Sequence, residues 1–230
     1  EEGEITMGNP DFLYFLYKLG MRMMTLTWNY ENSLGFPNVR LDKKASASSD
    51  RYCLSQNKGL KEQGIVFLEE MERLGMIIDV SHLSDAGFYD VLEHTTKPFV
   101  ASHSNARSVC PAVRNLTDDM VRRLAERGGI TGINFCKEFL GKPDVSQNYL
   151  DQAVVHMKYL MNLGGEDFVA LGSDFDGITR YHDLSDCSVM PKLVHTMKKA
   201  GLTPTQIEKI CYKNTLRVYR ELLQMHVQRT

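Results

Sequence analysis

Short apolar runs alternate with longer amphipathic segments along almost the whole chain. Five of the runs are short enough to be buried strands, and they span residues 21–28, 76–81, 98–102, 129–135 and 168–172. Segments with apolar residues at helical spacing lie before and between them, at 10–19, 60–74, 84–92, from 117, 149–163, 190–200 and from 203. The pattern therefore predicts strands that alternate with helices.

Local signals mark several helix ends independently of this periodicity. Gly20 and Gly75 directly follow two of the amphipathic segments, which is typical of helix C-termini. Ser84 and Thr117 are good N-cap residues, and two aspartates follow Thr117 in the first turn. Pro204 suits the first helical position, so the last helix is expected to begin there.

The alternation indicates an α/β fold built from parallel βα units. Five strands are too few to close an eight-stranded barrel, and the first helix has no strand before it. We therefore expect a single partial barrel domain over residues 1–230, with the first strands missing from this chain. Residues 29–58 are polar and rich in turn residues, and such a long loop is expected to be mobile and to border the active-site mouth.

Three of the predicted strands end in side chains that suit metal chemistry. His82 and His103 each follow a short apolar run, and Asp174 follows a third. A lone buried histidine is more often a core residue. Here two histidines follow two strands in the same way and an acid follows a third strand, which favours an active site at the carboxyl ends of parallel strands. Imidazole and carboxylate ligands suit a catalytic zinc ion. Asp174 alone is compatible with a third ligand, a general base or a structural acid.

Arg114 lies in the loop after the His103 strand. An arginine in this position can hold a substrate carboxylate through paired hydrogen bonds, although an isolated arginine is more often a surface charge. No serine-hydrolase elbow, phosphate-binding loop or dinucleotide fingerprint is present. The candidate chemistry is therefore that of a metal-dependent hydrolase.

Composition removes several other classes of function. The 230 residues are 43% hydrophobic and 24% charged, which is ordinary for a globular protein. A net charge of -2 gives no basic surface for nucleic acid or an anionic membrane, and no apolar run reaches the ~20 residues that span a bilayer. The five cysteines are scattered and odd in number, so reduced thiols and a cytoplasmic location are expected.

Six segments together resemble one known family. They are LYKLGMR (16–22), LTWN (26–29), IDVSH (78–82), ASHS (101–104), RN (114–115) and GSDFDG (172–177). In this order they resemble the membrane dipeptidase (renal dipeptidase) family, and the residues of the motifs are more similar to those of its bacterial members. That family belongs to the amidohydrolase-like (β/α)₈ barrel metal hydrolases, and the resemblance covers nearly the whole chain.

The resemblance implies a site with two zinc ions and a role for each candidate residue. Glu1 matches the carboxylate that bridges the metals, and His82 and His103 match the ligands of the second metal. Asp174 matches the acid that transfers protons, and Arg114 matches the arginine that grips the substrate carboxylate. The implied reaction is hydrolysis of a dipeptide through a metal-activated hydroxide. A homodimer is a possible assembly of such an enzyme.

Two departures from the family pattern limit these expectations. The His-x-Asp pair that holds the family's first zinc would lie upstream of Glu1, so this chain alone is expected to bind one zinc at most, and weakly. Trp28 and Asn29 stand where some members carry a histidine that polarises the scissile carbonyl, and Asn29 could donate a weaker hydrogen bond to the substrate. The alternatives are an amidase or deacylase acting on another small amide, and a metal-deficient barrel without catalysis.

Overall fold

A computed structural model describes residues 1–38, 58–179 and 183–224. The chain divides into two compact units. The first consists of Glu1–Ala101, Arg127–Gly129 and Arg217–Thr230, and the second of Ser102–Glu126 and Ile130–Leu216. The prediction of a single partial domain over 1–230 stays a prediction. Residues 39–57, which include most of the predicted mobile loop, lie outside the described residues.

The first unit contains three parallel strands and the helices that connect them. Its strands are β1 (Met23–Thr25), β2 (Ile77–Asp79) and β3 (Val100–Ala101), and its helices are α1 (Pro10–Lys18), α2 (Glu62–Leu74) and α3 (Asp85–His94), after a 3₁₀ turn at Gly3–Thr6. Met23 pairs with Ile77 in the register of β1 and β2, and β2 pairs with β3. All three residues of β2 are buried, which is typical of a parallel strand covered on both faces.

The helix ends of this unit follow the local signals in the sequence. Gly75 adopts a left-handed conformation (φ 69°), and its N–H bonds the carbonyls of Met71 and Glu72 to close α2. The Ser84 side chain accepts a hydrogen bond from the N–H of Gly87 at the start of α3. Because β2 begins only two residues after Gly75, the chain passes directly from α2 into the strand that leads to His82.

The second unit contains two parallel strands and most of the remaining helices. The strands are β4 (Ile130–Ile133) and β5 (Val169–Leu171). The helices are α4 (Asp118–Glu126), α5 (Lys137–Leu140), α6 (Tyr149–Gly164), α7 (Met190–Lys199) and α8 (Pro204–Glu208), with a 3₁₀ turn at Cys187–Val189. A π turn at Lys209–Lys213 leads into α9 (Asn214–Gln224), which ends the described chain. In each unit the strands follow chain order.

Two glycines let the strands of this unit approach one another closely. A Cβ atom added at Gly172 would lie 1.9 Å from the carbonyl oxygen of Ser102, and one added at Gly132 would lie 2.0 Å from the same oxygen. Each added Cβ would also lie close to the backbone of the other glycine. Backbone therefore fills this part of the unit, and the space admits no side chain.

Candidate active site

The predicted ligand His82 and the predicted proton-transfer acid Asp174 share an unusual backbone conformation. Both have positive φ, 68° for His82 and 64° for Asp174, and each follows a buried strand after a short gap. Non-glycine residues in the left-handed region are uncommon and cluster at functional sites. A left-handed residue turns the chain sharply, so each side chain is presented where its strand ends.

In the first unit, a buried acid shapes the turn that carries His82. One carboxylate oxygen of Asp79 accepts a hydrogen bond from the Ser81 N–H (3.0 Å), and the other accepts one from the Thr25 hydroxyl (2.6 Å). Asp79 is fully buried at the end of β2. Burying a carboxylate is costly unless hydrogen bonds compensate, and here those bonds fix the backbone just before the ligand.

His82 has a polar partner at each of its ring nitrogens. Its Nε2 lies 2.6 Å from a carboxylate oxygen of Glu1, and its Nδ1 lies 3.0 Å from the amide oxygen of Asn29. The structure thus brings together two of the predicted metal ligands within the first unit. It also places Asn29 on the ligand His82, a contact that the sequence did not predict.

This arrangement fits a bound cation. Oxygen acceptors face both ring nitrogens of His82, whereas a neutral imidazole carries only one N–H. If Nδ1–H donates to Asn29, the Nε2 lone pair faces the Glu1 carboxylate, and a proton or a metal ion between them satisfies both. Metal-binding histidines commonly donate their second N–H in this way, which fixes the tautomer and the ring orientation.

His103 belongs to the second unit and lies two residues after β3. Its Nδ1 lies 2.7 Å from the Ser102 hydroxyl. This contact occupies Nδ1, so a metal would be bound through Nε2. His103 is half-buried, which is compatible with a ligand at the edge of a site.

Asp174 is held by a side chain that the sequence analysis missed. The amide nitrogen of Asn134, which directly follows β4, donates to the Asp174 carboxylate at 3.0 Å. The N–H of Gly177 donates to the Asp174 carbonyl at 3.0 Å and closes the turn after β5. Asp176, in the same turn, is exposed. The sequence analysis placed Asn134 inside the predicted strand 129–135, whereas β4 ends at Ile133, so the strand-end signal that selected His82 and His103 did not select it.

Arg114 is buried in the loop after His103. It is 4% exposed, and its guanidinium carbon lies 5.5 Å from the centre of the Phe139 ring. Arg107 holds the backbone on both sides of it by donating to the carbonyls of Val113 and Asn115, at 2.8 Å each. Arginine is rarely buried to this extent, so Arg114 is held in place and is not a mobile surface charge.

His156 of α6 connects this loop to α5. Its Nδ1 accepts a hydrogen bond from the Ala106 N–H (3.2 Å), and its Nε2–H donates to the Leu140 carbonyl (2.9 Å). Burial lowers the pKa of His156 from 6.5 to about 4, against a smaller opposing effect of the Leu140 carbonyl. These two hydrogen bonds define the tautomer of a neutral ring, with the proton on Nε2.

The sequence pattern of one family, described as membrane dipeptidase (peptidase family M19), matches residues 2–229. The chain belongs to this family. It is 38% identical over 215 residues to an uncharacterized protein in the pqqA 5′ region of Klebsiella pneumoniae, covering 92% of this chain and 76% of that protein. An uncharacterized dipeptidase of Schizosaccharomyces pombe is 35% identical over 207 residues, which cover 89% of this chain and 47% of that protein.

Two solved structures have the same fold. The dipeptidase AC, an M19 metallopeptidase, is 30% identical with a TM-score of 0.84, over 96% of this chain and 62% of the other. A Rhodobacter sphaeroides metallopeptidase, liganded with a phosphinate mimic of L-Ala-D-Ala, is 31% identical with a TM-score of 0.81, over 94% and 60%. The predicted family and the α/β-barrel fold class are confirmed. The chain spans about half to three quarters of these relatives' lengths.

The helices of residues 1–38, 58–179 and 183–224 include none with the length and apolar character needed to cross a membrane. The cysteines of this part of the chain, Cys110, Cys136, Cys187 and Cys211, form no disulfide with one another.

Proposed function

We propose that the protein is a metal-dependent dipeptidase, with Glu1, His82 and His103 as metal ligands. The observation that carries the proposal is the contact between His82 Nε2 and the Glu1 carboxylate, with Asn29 at the other ring nitrogen. Membership of the M19 family supports the same conclusion independently. Asn29 then acts on the ligand His82, and donation from its amide nitrogen to the substrate stays a prediction.

The metal we propose is zinc, with two ions in the complete site, and Glu1, His82 and His103 are the residues of this chain that would hold it. One carboxylate and two imidazoles form a ligand set that zinc binds well, and catalytic zinc sites keep a position open for water. When bound, the metal lowers the pKa of water and polarises the peptide carbonyl. Elemental analysis of zinc-supplemented protein that carries the upstream His-x-Asp pair tests this point, and a preparation without any transition metal would contradict it.

The chain's own residues supply proton transfer and substrate binding in this proposal. Asp174 accepts a proton at its carboxylate during attack by water and passes it to the leaving amine. Arg114 binds the terminal carboxylate of the substrate, and this contact makes the enzyme prefer free dipeptides. The cytoplasmic location and the homodimer expected from the sequence stay predictions.

Replacement of Arg114 by methionine distinguishes a dipeptidase from a general amidase. Free dipeptides carry the terminal charge and dipeptide amides do not, so Arg114→Met should raise KM for free dipeptides and hardly change it for amides. A charge-assisted bidentate pair is worth about 1.5–3 kcal/mol, or roughly ten- to a hundred-fold in kcat/KM. Arg114→Lys should restore only part of the loss, because a point charge does not reproduce the planar guanidinium.

The substrate panel pairs L-Ala-D-Ala and L-Ala-L-Ala with their amides and with N-acyl amino acids. L-Ala-D-Ala is included because the Rhodobacter sphaeroides relative holds its phosphinate mimic. Equal losses on free dipeptides and amides in Arg114→Met would show that this residue supports the loop only. Faster cleavage of N-acyl amino acids than of any dipeptide would favour the deacylase alternative.

A further inference from the structure

We infer that Asn134 is a positioning residue for Asp174 in the hydrolysis, because its side-chain amide fixes the carboxylate that transfers the proton. The inference rests on the proposed function and adds to it a residue at the end of β4. Its amide nitrogen lies 3.0 Å from the Asp174 carboxylate and 3.4 Å from the backbone carbonyl of His103. One amide group therefore contacts both the proposed acid and the backbone of a proposed ligand.

The backbone around Asn134 determines which way its amide points. The Asn134 side-chain oxygen accepts a hydrogen bond from the Cys136 N–H at 2.7 Å. A flipped amide would place two donors against each other there, and it would place an oxygen against the Asp174 carboxylate. The amide nitrogen is therefore the group that faces Asp174, and it acts as a donor.

A second asparagine prevents the backbone of Asn134 from moving. The Asn134 N–H donates to the side-chain oxygen of Asn105, and the Asn105 amide nitrogen donates to the Asn134 carbonyl, at 2.9 Å each. Both asparagines are fully buried. Rotation of Asn134 would break buried hydrogen bonds, so its donor is preorganised before substrate binds.

The other side of the Asp174 carboxylate is confined by the turn after β5. A Cβ atom added at Gly177 would lie 2.3 Å from the second carboxylate oxygen, Oδ1. Glycine at this position therefore leaves the space that the carboxylate occupies. The Asn134 hydrogen bond is made to the other oxygen, Oδ2, so the carboxylate is fixed from two sides.

Two matched substitutions separate positioning from support of the fold. Asn134→Asp keeps the acceptor for the Cys136 N–H but places an oxygen against the Asp174 carboxylate. Asn214→Asp makes the same nitrogen-to-oxygen change at another buried asparagine, whose amide nitrogen donates to the carbonyls of Glu166 and Val169. In zinc-loaded protein we expect kcat for a free dipeptide to fall about 10- to 100-fold in Asn134→Asp, with KM changed by less than about threefold. Asn214→Asp should lower Tm, with kcat within about threefold of wild type.

The exchange variant Asn134→Asp/Asp174→Asn adds a readout that does not depend on activity. It restores an amide–carboxylate pair in the reverse order, so its Tm should recover from that of Asn134→Asp. Its kcat should equal that of Asp174→Asn alone. Asn134 acts only through the Asp174 carboxylate, so its substitution has no further effect on kcat once that carboxylate is removed.

Three results would overturn the inference. They are equal kcat losses in the two asparagine variants, a further loss from Asn134→Asp in the Asp174→Asn background, and no recovery of Tm in the exchange variant. Absence of dipeptide hydrolysis by the wild-type protein would instead contradict the proposed function, and the Tm comparison would still decide whether the two side chains pair.

Discussion

Acid lability of the second unit is expected to depend on His156. This ring is fully buried, and both its nitrogens are engaged as a neutral imidazole, by the Ala106 N–H and the Leu140 carbonyl. Protonation would put a hydrogen on Nδ1, directly against the Ala106 N–H. The folded protein therefore resists a charge that the unfolded chain takes up readily.

The size of the effect follows from the two pKa values. The folded value is about 4 and the ordinary value is 6.5, and this difference corresponds to about 3 kcal/mol of unfolding free energy. Because the folded pKa is lowered, the contribution is complete above about pH 6.5 and is lost as the pH falls towards 4.

Urea unfolding of wild type and His156→Gln, at intervals between about pH 7.5 and pH 4, measures this contribution. Glutamine cannot be protonated, so the stability difference between the two proteins should shrink by about 3 kcal/mol across that range. His195→Gln is the matched control, since His195 is exposed on α7. All other titratable groups are the same in the two proteins, so their effects cancel in the stability difference. A stability difference that is constant with pH would therefore refute the reasoning.

Further predictions concern the metal and the packing of the strands. His82→Ala and His103→Ala should each lose bound zinc, measured by elemental analysis, and nearly all hydrolysis, since water does not replace an imidazole ligand. Normal zinc content and activity in either variant would show that the substituted histidine is a core residue and not a metal ligand. Gly172→Ala should lower the free energy of unfolding by about 1–3 kcal/mol or more, because its Cβ would lie 1.9 Å from the Ser102 carbonyl oxygen. An unchanged Tm would contradict that packing.

The sequence predicted helix ends well because their causes are local. Gly75 and Ser84 act within one turn of their own helices, and Pro204 begins α8 as expected. The predicted strands are all present, but each is shorter than its apolar run, because pairing with a neighbouring strand decides where a strand ends. The short helix α5 and the π turn at Lys209–Lys213 were missed, since neither has a long apolar period.

The candidate site was predicted in part. Strand-end position singled out His82, His103 and Asp174, whereas Glu1 came only from the family resemblance, because nothing near it in the chain indicates a partner in His82. The roles of Asn29 and Asn134 depend on side chains from other segments. An asparagine in the sequence carries no sign of which group its amide will face, so these contacts required the structure.

The left-handed backbone of His82 and Asp174 affects how any substitution at these positions is interpreted. Asparagine, aspartate and glycine adopt this conformation readily, while alanine carries a Cβ that opposes it at a cost of about 1–2 kcal/mol. An alanine variant therefore combines loss of the functional group with backbone strain, and a glycine variant removes the group without that strain. The difference in stability between the two variants measures how much conformational energy the fold stores at each strand end. The same restriction narrows the residue types that related sequences can carry there, apart from any requirement of catalysis.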